Sequence, residues 1–141
     1  MYYCLDEDGN VFECDLLQWS TCFSSLGRSI AFTKINKKVH LSTVFLGLDH
    51  AFFGSSSPKI FESMLFGNKK YEGLQFRYST REDALRGHLK TLLFLKVPLK
   101  TIFSLDSLRE DARFHVQSLK FFKVLLKDKD FLEEAKNFEP Y

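Results

Sequence analysis

The sequence predicts an α+β protein: a mostly antiparallel sheet of five to six strands, one or two packed helices, and a C-terminal helical appendage. Three observations predict it. Short β-rich runs with period-two alternation recur through the first 78 residues, Gly- and Asn-containing turns punctuate them, and apolar residues repeat at helical spacing beyond residue 80. A chain of 141 residues suits one hydrophobic core without disulfide or metal support. Within it, residues 1–97 read as the α+β core and residues 98–141 as an extension packed on that core or dimerising with a second copy.

Tyr2 to Leu5 and Val11 to Glu13 flank the acidic turn Asp6-Glu7-Asp8-Gly9-Asn10, an opening hairpin. Asp15 is placed to cap a helix from Leu16 to about Ser24, with Leu16, Trp19 and Phe23 on one face and Leu26-Gly27 as its end. Trp19 is expected as a core anchor. Arg28 to Ile35 and Lys38 to Leu48 are the next strands, joined at Asn36-Lys37. In the second of them Val39, Leu41, Thr43 and Phe45 face one way and His40, Ser42, Val44 and Leu46 the other. Its outer half is polar and its inner half apolar, so it begins at a rim and ends within a packed sheet.

Asp49 to Pro58 breaks into a loop that mixes ionisable, aromatic and small residues. Lys59 to Phe66 and Leu74 to Tyr78 form a further hairpin with Gly67, Asn68 and Gly73 at its bend. Ser79-Thr80-Arg81-Glu82 has capping-box spacing and opens a helix through His88 to about Lys96, stopped by Pro98. Leu108, Ala112, His115, Leu119, Phe122 and Leu126 repeat at helical spacing over Ser107 to Lys127, and Phe131 to Phe138 adds a shorter helix.

Composition narrows the function classes. Hydrophobic residues at 45% and charged residues at 27% describe an ordinary globular chain rather than a disordered one. The sixteen phenylalanines either fill the core or leave an apolar face for a partner or a second subunit. A net charge of +2 lacks the strong basic bias of a dedicated nucleic-acid binder, so nucleic acid is not the expected partner. Apolar runs fall far short of the roughly 20 residues that span a bilayer. Met1 to Asp8 carries acidic residues where a secretory signal needs basic ones, so the cytoplasm is the expected location. Cys4, Cys14 and Cys22 match no zinc spacing and leave one thiol over in any disulfide scheme. They read as free buried thiols, with no metal or cofactor expected.

Val39 to His50 (VHLSTVFLGLDH), Phe61 to Phe66 (FESMLF) and Arg77 to His88 (RYSTREDALRGH) resemble an uncharacterised family of small phage- and prophage-encoded proteins. Members show S-T-V-F-L-G-L-D-H, a Gly/Pro-rich loop, F-E-T-M-V-F, R-Y-x-T and a terminal G-H in that order. The resemblance covers about 50 residues strongly. It implies a phage origin and supplies no activity, cofactor or partner. Gly54-Ser55-Ser56-Ser57-Pro58 stands here where relatives carry several glycines and paired prolines.

The polar residues of these blocks, Asp49, His50, Glu62, Arg77, Tyr78 and His88, form the candidate ligand pocket. Carboxylates and imidazoles exchange protons or bind divalent metals, and arginine clamps anions. Pairing of the last hairpin puts Glu62 opposite Arg77, an ion pair that needs no ligand to explain it. Three readings stay open: a structural network, a pocket for an anion or other small ligand, and a catalytic or metal site. The chain has no P-loop, G-x-G-x-x-G, H-E-x-x-H, G-x-S-x-G or CxxC pair. The leading expectation is therefore a non-enzymatic binder of a host protein or a small anionic, nucleotide-like signal, with a homo-oligomer through the C-terminal helices as an option. A metal-assisted hydrolase or nucleotide-processing enzyme using Asp49, His50, Glu62 and His88 is the alternative, and nucleic-acid binding through Lys37-Lys38, Lys69-Lys70, Tyr71 and Phe76 is a third.

Overall fold

The computed structural model describes residues 1–25, 28–48, 57–105 and 114–140. Along these run β1 (Tyr2–Leu5), β2 (Val11–Cys14), α1 (Leu16–Ser25), β3 (Ser29–Lys34), β4 (His40–Phe45), β5 (Phe61–Phe66), β6 (Gln75–Tyr78), α2 (Arg81–Phe94), α3 (Leu99–Ile102), α4 (His115–Leu125) and α5 (Lys129–Lys136). The α+β class is as the sequence predicts, and all ladders are antiparallel. The strands, however, divide into a two-stranded sheet, β1-β2, and a four-stranded sheet in the order β3-β4-β5-β6. The division has a local cause. Gly47, at φ +74°, turns the chain out of the β4 ladder before Leu48, where the sequence pattern would carry the strand on. What joins the sheets there is a bridge between Tyr2 and Leu48 and a bond from the Tyr3 N–H to the Gly47 carbonyl at 2.9 Å.

Side chains punctuate the elements. The Asp6 carboxylate accepts from the N–H groups of Asp8 and Asn10 at 2.9 Å each, which closes the first turn and holds its carboxyl below the ordinary range. Asp15 and Gln18 cap α1 reciprocally, Gln18 N–H to Asp15 Oδ1 at 2.8 Å and Asp15 N–H to Gln18 Oε1 at 3.1 Å. The cap of α2 lies one residue later than the spacing suggests: Thr80 Oγ1 accepts from the Asp83 N–H at 3.0 Å. That helix ends as Lys96 enters the left-handed region at φ +59° and Val97 N–H returns to the Leu92 carbonyl at 3.0 Å, with Pro98 just beyond.

In β4 burial alternates as its sequence does: Leu41, Thr43 and Phe45 are buried, and His40, Ser42 and Val44 half-buried. The buried face of the four-stranded sheet packs under α2 and α4. Leu41, Phe45, Phe61 and Leu65 from the sheet, Leu85, Leu89 and Leu92 from α2, and Ile102, Phe114, Phe122 and Phe131 from the C-terminal region form one contiguous core. Each such side chain contributes about 1.5–3 kcal/mol through burial. The last helix is tied down twice, by Phe131 at 0% exposure beneath the Arg86 and Lys90 cations and by Glu134, 2.9 Å from both of those groups.

Two expectations need correction. Trp19 is half-buried and packs on Tyr2, 5.5 Å between centroids, beside the small sheet rather than in the main core. The short α3, after Pro98, was not anticipated. The expected helix start between Ser107 and Ala112 and the whole of the Asp49–Ser56 loop lie outside the described residues. Among the described residues no helix is long and apolar enough to cross a membrane.

Candidate functional site

Of the six candidate residues, Glu62, Arg77, Tyr78 and His88 are described, and Asp49 and His50 are not. The four do not converge. Side chains of a strand alternate between faces, so Glu62 and its neighbour Ser63 point to opposite sides of β5. Ser63 is on the helix-covered side, linked through Thr43 to His88, and Glu62 is on the other side with Arg77. The sheet thus separates Glu62 from His88, and one metal ion could not take both.

The inner side carries a continuous polar seam. Thr33 Oγ1 is 2.9 Å from His88 Nε2, His88 Nδ1 is 2.7 Å from Thr43 Oγ1, Thr43 Oγ1 is 2.6 Å from Ser63 Oγ, and Ser63 bonds in turn to Tyr78. The chain of hydroxyls crosses β3, β4, β5 and β6, with the imidazole of α2 inserted between the two threonines. A neutral histidine has one N–H and one acceptor nitrogen, so each link can be satisfied with the protons running in one direction. Burial, with a lesser push from His115, holds His88 down at about 3, so the ring is neutral. It also stacks on Phe122 at 5.6 Å and 13°. Two more bonds extend the seam to α4: His115 Nδ1 accepts from the Phe32 N–H at 3.3 Å, and Ser118 donates to the Ile30 carbonyl at 2.7 Å. His88 is fully buried, and its arrangement is that of a structural network.

Gly87 explains how Tyr78 reaches the seam. A Cβ on Gly87 would lie 2.1 Å from Tyr78 Oη and 2.5 Å from its ring, so only glycine lets this tyrosine lie against α2. Burial pushes the Tyr78 hydroxyl up, which keeps it protonated and able to donate.

On the other face Glu62 and Arg77 are register partners, as the hairpin predicts, with Arg77 Nε 3.0 Å from Glu62 Oε2. Gln75 Nε2 donates to the same oxygen. The carboxylate is buried and Arg77 is exposed along much of its length. Only Nε of the guanidinium serves this contact, one of five N–H donors in the fork.

Arg77 and Tyr78 do meet at the edge of the sheet. Between β6 and α2 lies a cleft of about 260 Å³ lined by Lys59, Phe76, Arg77, Tyr78, Ser79, Asp83, Arg86, Gly87, Lys90 and Phe138. Four basic and three aromatic residues thus line the cleft with one acidic residue, Asp83, and Arg77 lines it from the edge strand while its Nε bonds Glu62 on the far face. The cations are positioned from outside the cleft: Glu62 holds Arg77, and Glu134 holds Arg86 and Lys90, which together keep the Glu134 carboxyl below its ordinary range. Phe138 closes one end against Phe76 at 5.7 Å and Phe94 at 6.1 Å. A larger open hollow of about 460 Å³ lies at the start of α2, beside Tyr3, Asn10 and Arg81. There Glu82 and Asp83 occupy the first helical turn and Thr80 takes the Asp83 N–H, which disfavours an anion.

Comparison with protein-family models, curated proteins and solved structures returns no match to this chain. Among the described residues no three His, Cys, Asp or Glu side chains are grouped to hold a metal ion. Lys59, Arg86, Lys90 and Phe138 were missed in the sequence. Arg86 and Lys90, four apart on one helix face, were the available signal. Of the two rings singled out for base stacking, Tyr71 packs against Phe94 at 5.5 Å, and Phe76 contacts Phe138 and lines the β6–α2 cleft.

Proposed function

We propose that the protein is a non-enzymatic binder of a small anionic ligand bearing a flat ring, of nucleotide type, held in the cleft between β6 and α2. The observation that carries this reading is the lining itself, in which Lys59, Arg77, Arg86 and Lys90 accompany Phe76, Tyr78, Phe138 and the single acidic residue Asp83, with the Glu62 and Glu134 carboxylates bonded to three of those cations from outside it. Arginine and lysine side chains pair with phosphate oxygens, the arginine fork in bidentate fashion, and aromatic rings supply a surface for a base. With Glu62 and Glu134 holding three of the cations from behind, the side chains are ordered before a ligand arrives, which lowers the entropy lost on binding. The volume is slightly below that of a drug-sized site, which suits one phosphate and part of an attached ring.

The lining holds one carboxylate and no histidine, so it favours holding an anion over proton transfer. The blocks that resemble phage-encoded proteins support a setting inside an infected host, where sequestering a nucleotide-like signal would serve counter-defence.

Thermal unfolding in the presence of adenosine monophosphate, guanosine monophosphate, inorganic pyrophosphate and uncharged nucleosides tests this. A ligand at a hundred times its Kd adds about 2.7 kcal/mol to stability. Phosphorylated compounds are expected to raise Tm by several degrees, nucleosides to do little, and Lys59→Glu to abolish the rise. No rise with any anion contradicts the proposal.

A further inference from the structure

All three cysteines of the chain meet at one place, although their sequence spacing follows no recognisable pattern. Cys4 lies on β1, Cys14 ends β2, and Cys22 is on α1. The register pairs Tyr2 with Cys14 and Cys4 with Phe12, so Cys4 and Cys14 share one face of the hairpin and sit on a diagonal of its ladder. That face is the one α1 covers, since Trp19 packs on Tyr2. Cys22 follows Trp19 by three residues and shares its side of the helix. The outcome is a thiol cluster: Cys4 Sγ is 2.9 Å from Cys14 Sγ, bonds also to the Cys22 thiol, and lies 3.7 Å from the Gln18 carbonyl.

We propose that this cluster is a site of reversible oxidation, at which a peroxide converts Cys4 and Cys14 to a disulfide. The thiols are free in the structure. Their sulfurs stand about 0.9 Å farther apart than the roughly 2.05 Å of a disulfide, so little movement closes the bond. Cys14 is half-buried at the end of a strand whose other residues are exposed, so of the two an oxidant reaches it before the buried Cys4. Cys4 is 1% exposed, and burial together with its thiol neighbours pushes its proton affinity up, so it reacts second.

The steps balance. The Cys14 thiolate attacks one peroxide oxygen, the O–O bond breaks, and Cys14 becomes a sulfenic acid as hydroxide leaves and takes up a proton as water. The Cys4 sulfur then attacks the sulfenic sulfur, the S–O bond breaks, and the departing hydroxide takes the Cys4 proton as a second water. Two thiols are oxidised by two electrons, and one peroxide is reduced to two waters. Reversal needs an external dithiol: one of its sulfurs attacks the disulfide to form a mixed disulfide and release one cysteine thiol, and its second sulfur then displaces the other, so that Cys4 and Cys14 return as thiols and the dithiol leaves as a disulfide.

Treating the whole protein with hydrogen peroxide, blocking remaining thiols and mapping peptides tests the proposal. The expected result is an intramolecular Cys4–Cys14 link, two of the three cysteines lost to alkylation, and restoration of all three by dithiothreitol. Cys22→Ser is expected to form the same link. A bond that includes Cys22, a link between molecules, or Cys14 over-oxidised while Cys4 still alkylates would overturn it. Because the readout is a covalent bond at the small sheet, it is independent of ligand binding at the β6–α2 cleft.

Discussion

His88 Nδ1 lies 2.7 Å from Thr43 Oγ1, and this contact ties the middle of α2 to the centre of the four-stranded sheet. The same imidazole reaches Thr33 through its other nitrogen, so one side chain joins β3 and β4 to the helix above them. Replacement of His88 by alanine is expected to cost about 3–5 kcal/mol, because it opens a cavity and leaves two buried hydroxyls short of a partner. Urea unfolding measures the change. A cost below about 1 kcal/mol would mean the seam is not structural.

Acid should weaken the fold through the same residue. Folded, His88 titrates at about 3, against an ordinary value of 6.5. Between those values the unfolded chain takes up a proton that the folded chain refuses. Stability is therefore complete above about pH 6.5 and falls on acidification by about 1.4 kcal/mol per pH unit. Burial shifts His115 in the same direction. Asp6 and Glu134, both held low, add losses only below the carboxylate range, so unfolding between about pH 6.5 and about pH 5 isolates the histidines. His88→Gln should flatten most of that slope.

Gly87→Ala is expected to destabilise even though alanine favours a helix interior by about 1 kcal/mol. The added methyl enters the space of the Tyr78 ring. In Tyr78→Ala the ring is gone, and the same Gly87→Ala change should become neutral or stabilising. A double-mutant cycle by chemical denaturation gives the coupling, and additivity of the two changes would contradict the contact.

For Glu62 and Arg77 a cycle should yield a coupling near 1 kcal/mol, reduced because the arginine is largely exposed. Arg77→Ala should nevertheless cost more than an exposed pair would, since it leaves the buried Glu62 carboxylate without its cation and with Gln75 as its neutral hydrogen-bond donor on β6. Added salt should shrink the coupling, and a salt-independent value would point to packing rather than charge.

The sequence carried what is local and periodic. Alternation in β4 placed Leu41 and Phe45 inward, the bend between Phe66 and Gln75 set Glu62 against Arg77, and Asp15 marked the start of α1. It did not carry contacts made across the chain. His88 finds its partners 55 and 45 residues away in Thr33 and Thr43, and nothing in the spacing of those residues announces it. Their one trace is small hydroxyl residues at inward strand positions otherwise filled by apolar ones. The division into two sheets turned on Gly47, a single backbone angle inside a run that reads as strand. The cleft was half legible, because Arg77 and Tyr78 end a strand whose pairing the sequence pattern shows while Phe138 arrives from the far end of the chain.

The measurement that bears most directly on the anion-binding cleft is a titration of the isotopically labelled protein with adenosine monophosphate, followed by backbone amide NMR. Saturable shifts are predicted to centre on Lys59, on Phe76 to Ser79, on Arg86 to Lys90 and on Phe138, and to vanish in Lys59→Glu. Absence of saturable shifts, or their concentration on the far face of the sheet around His40 and Phe66, would contradict the account.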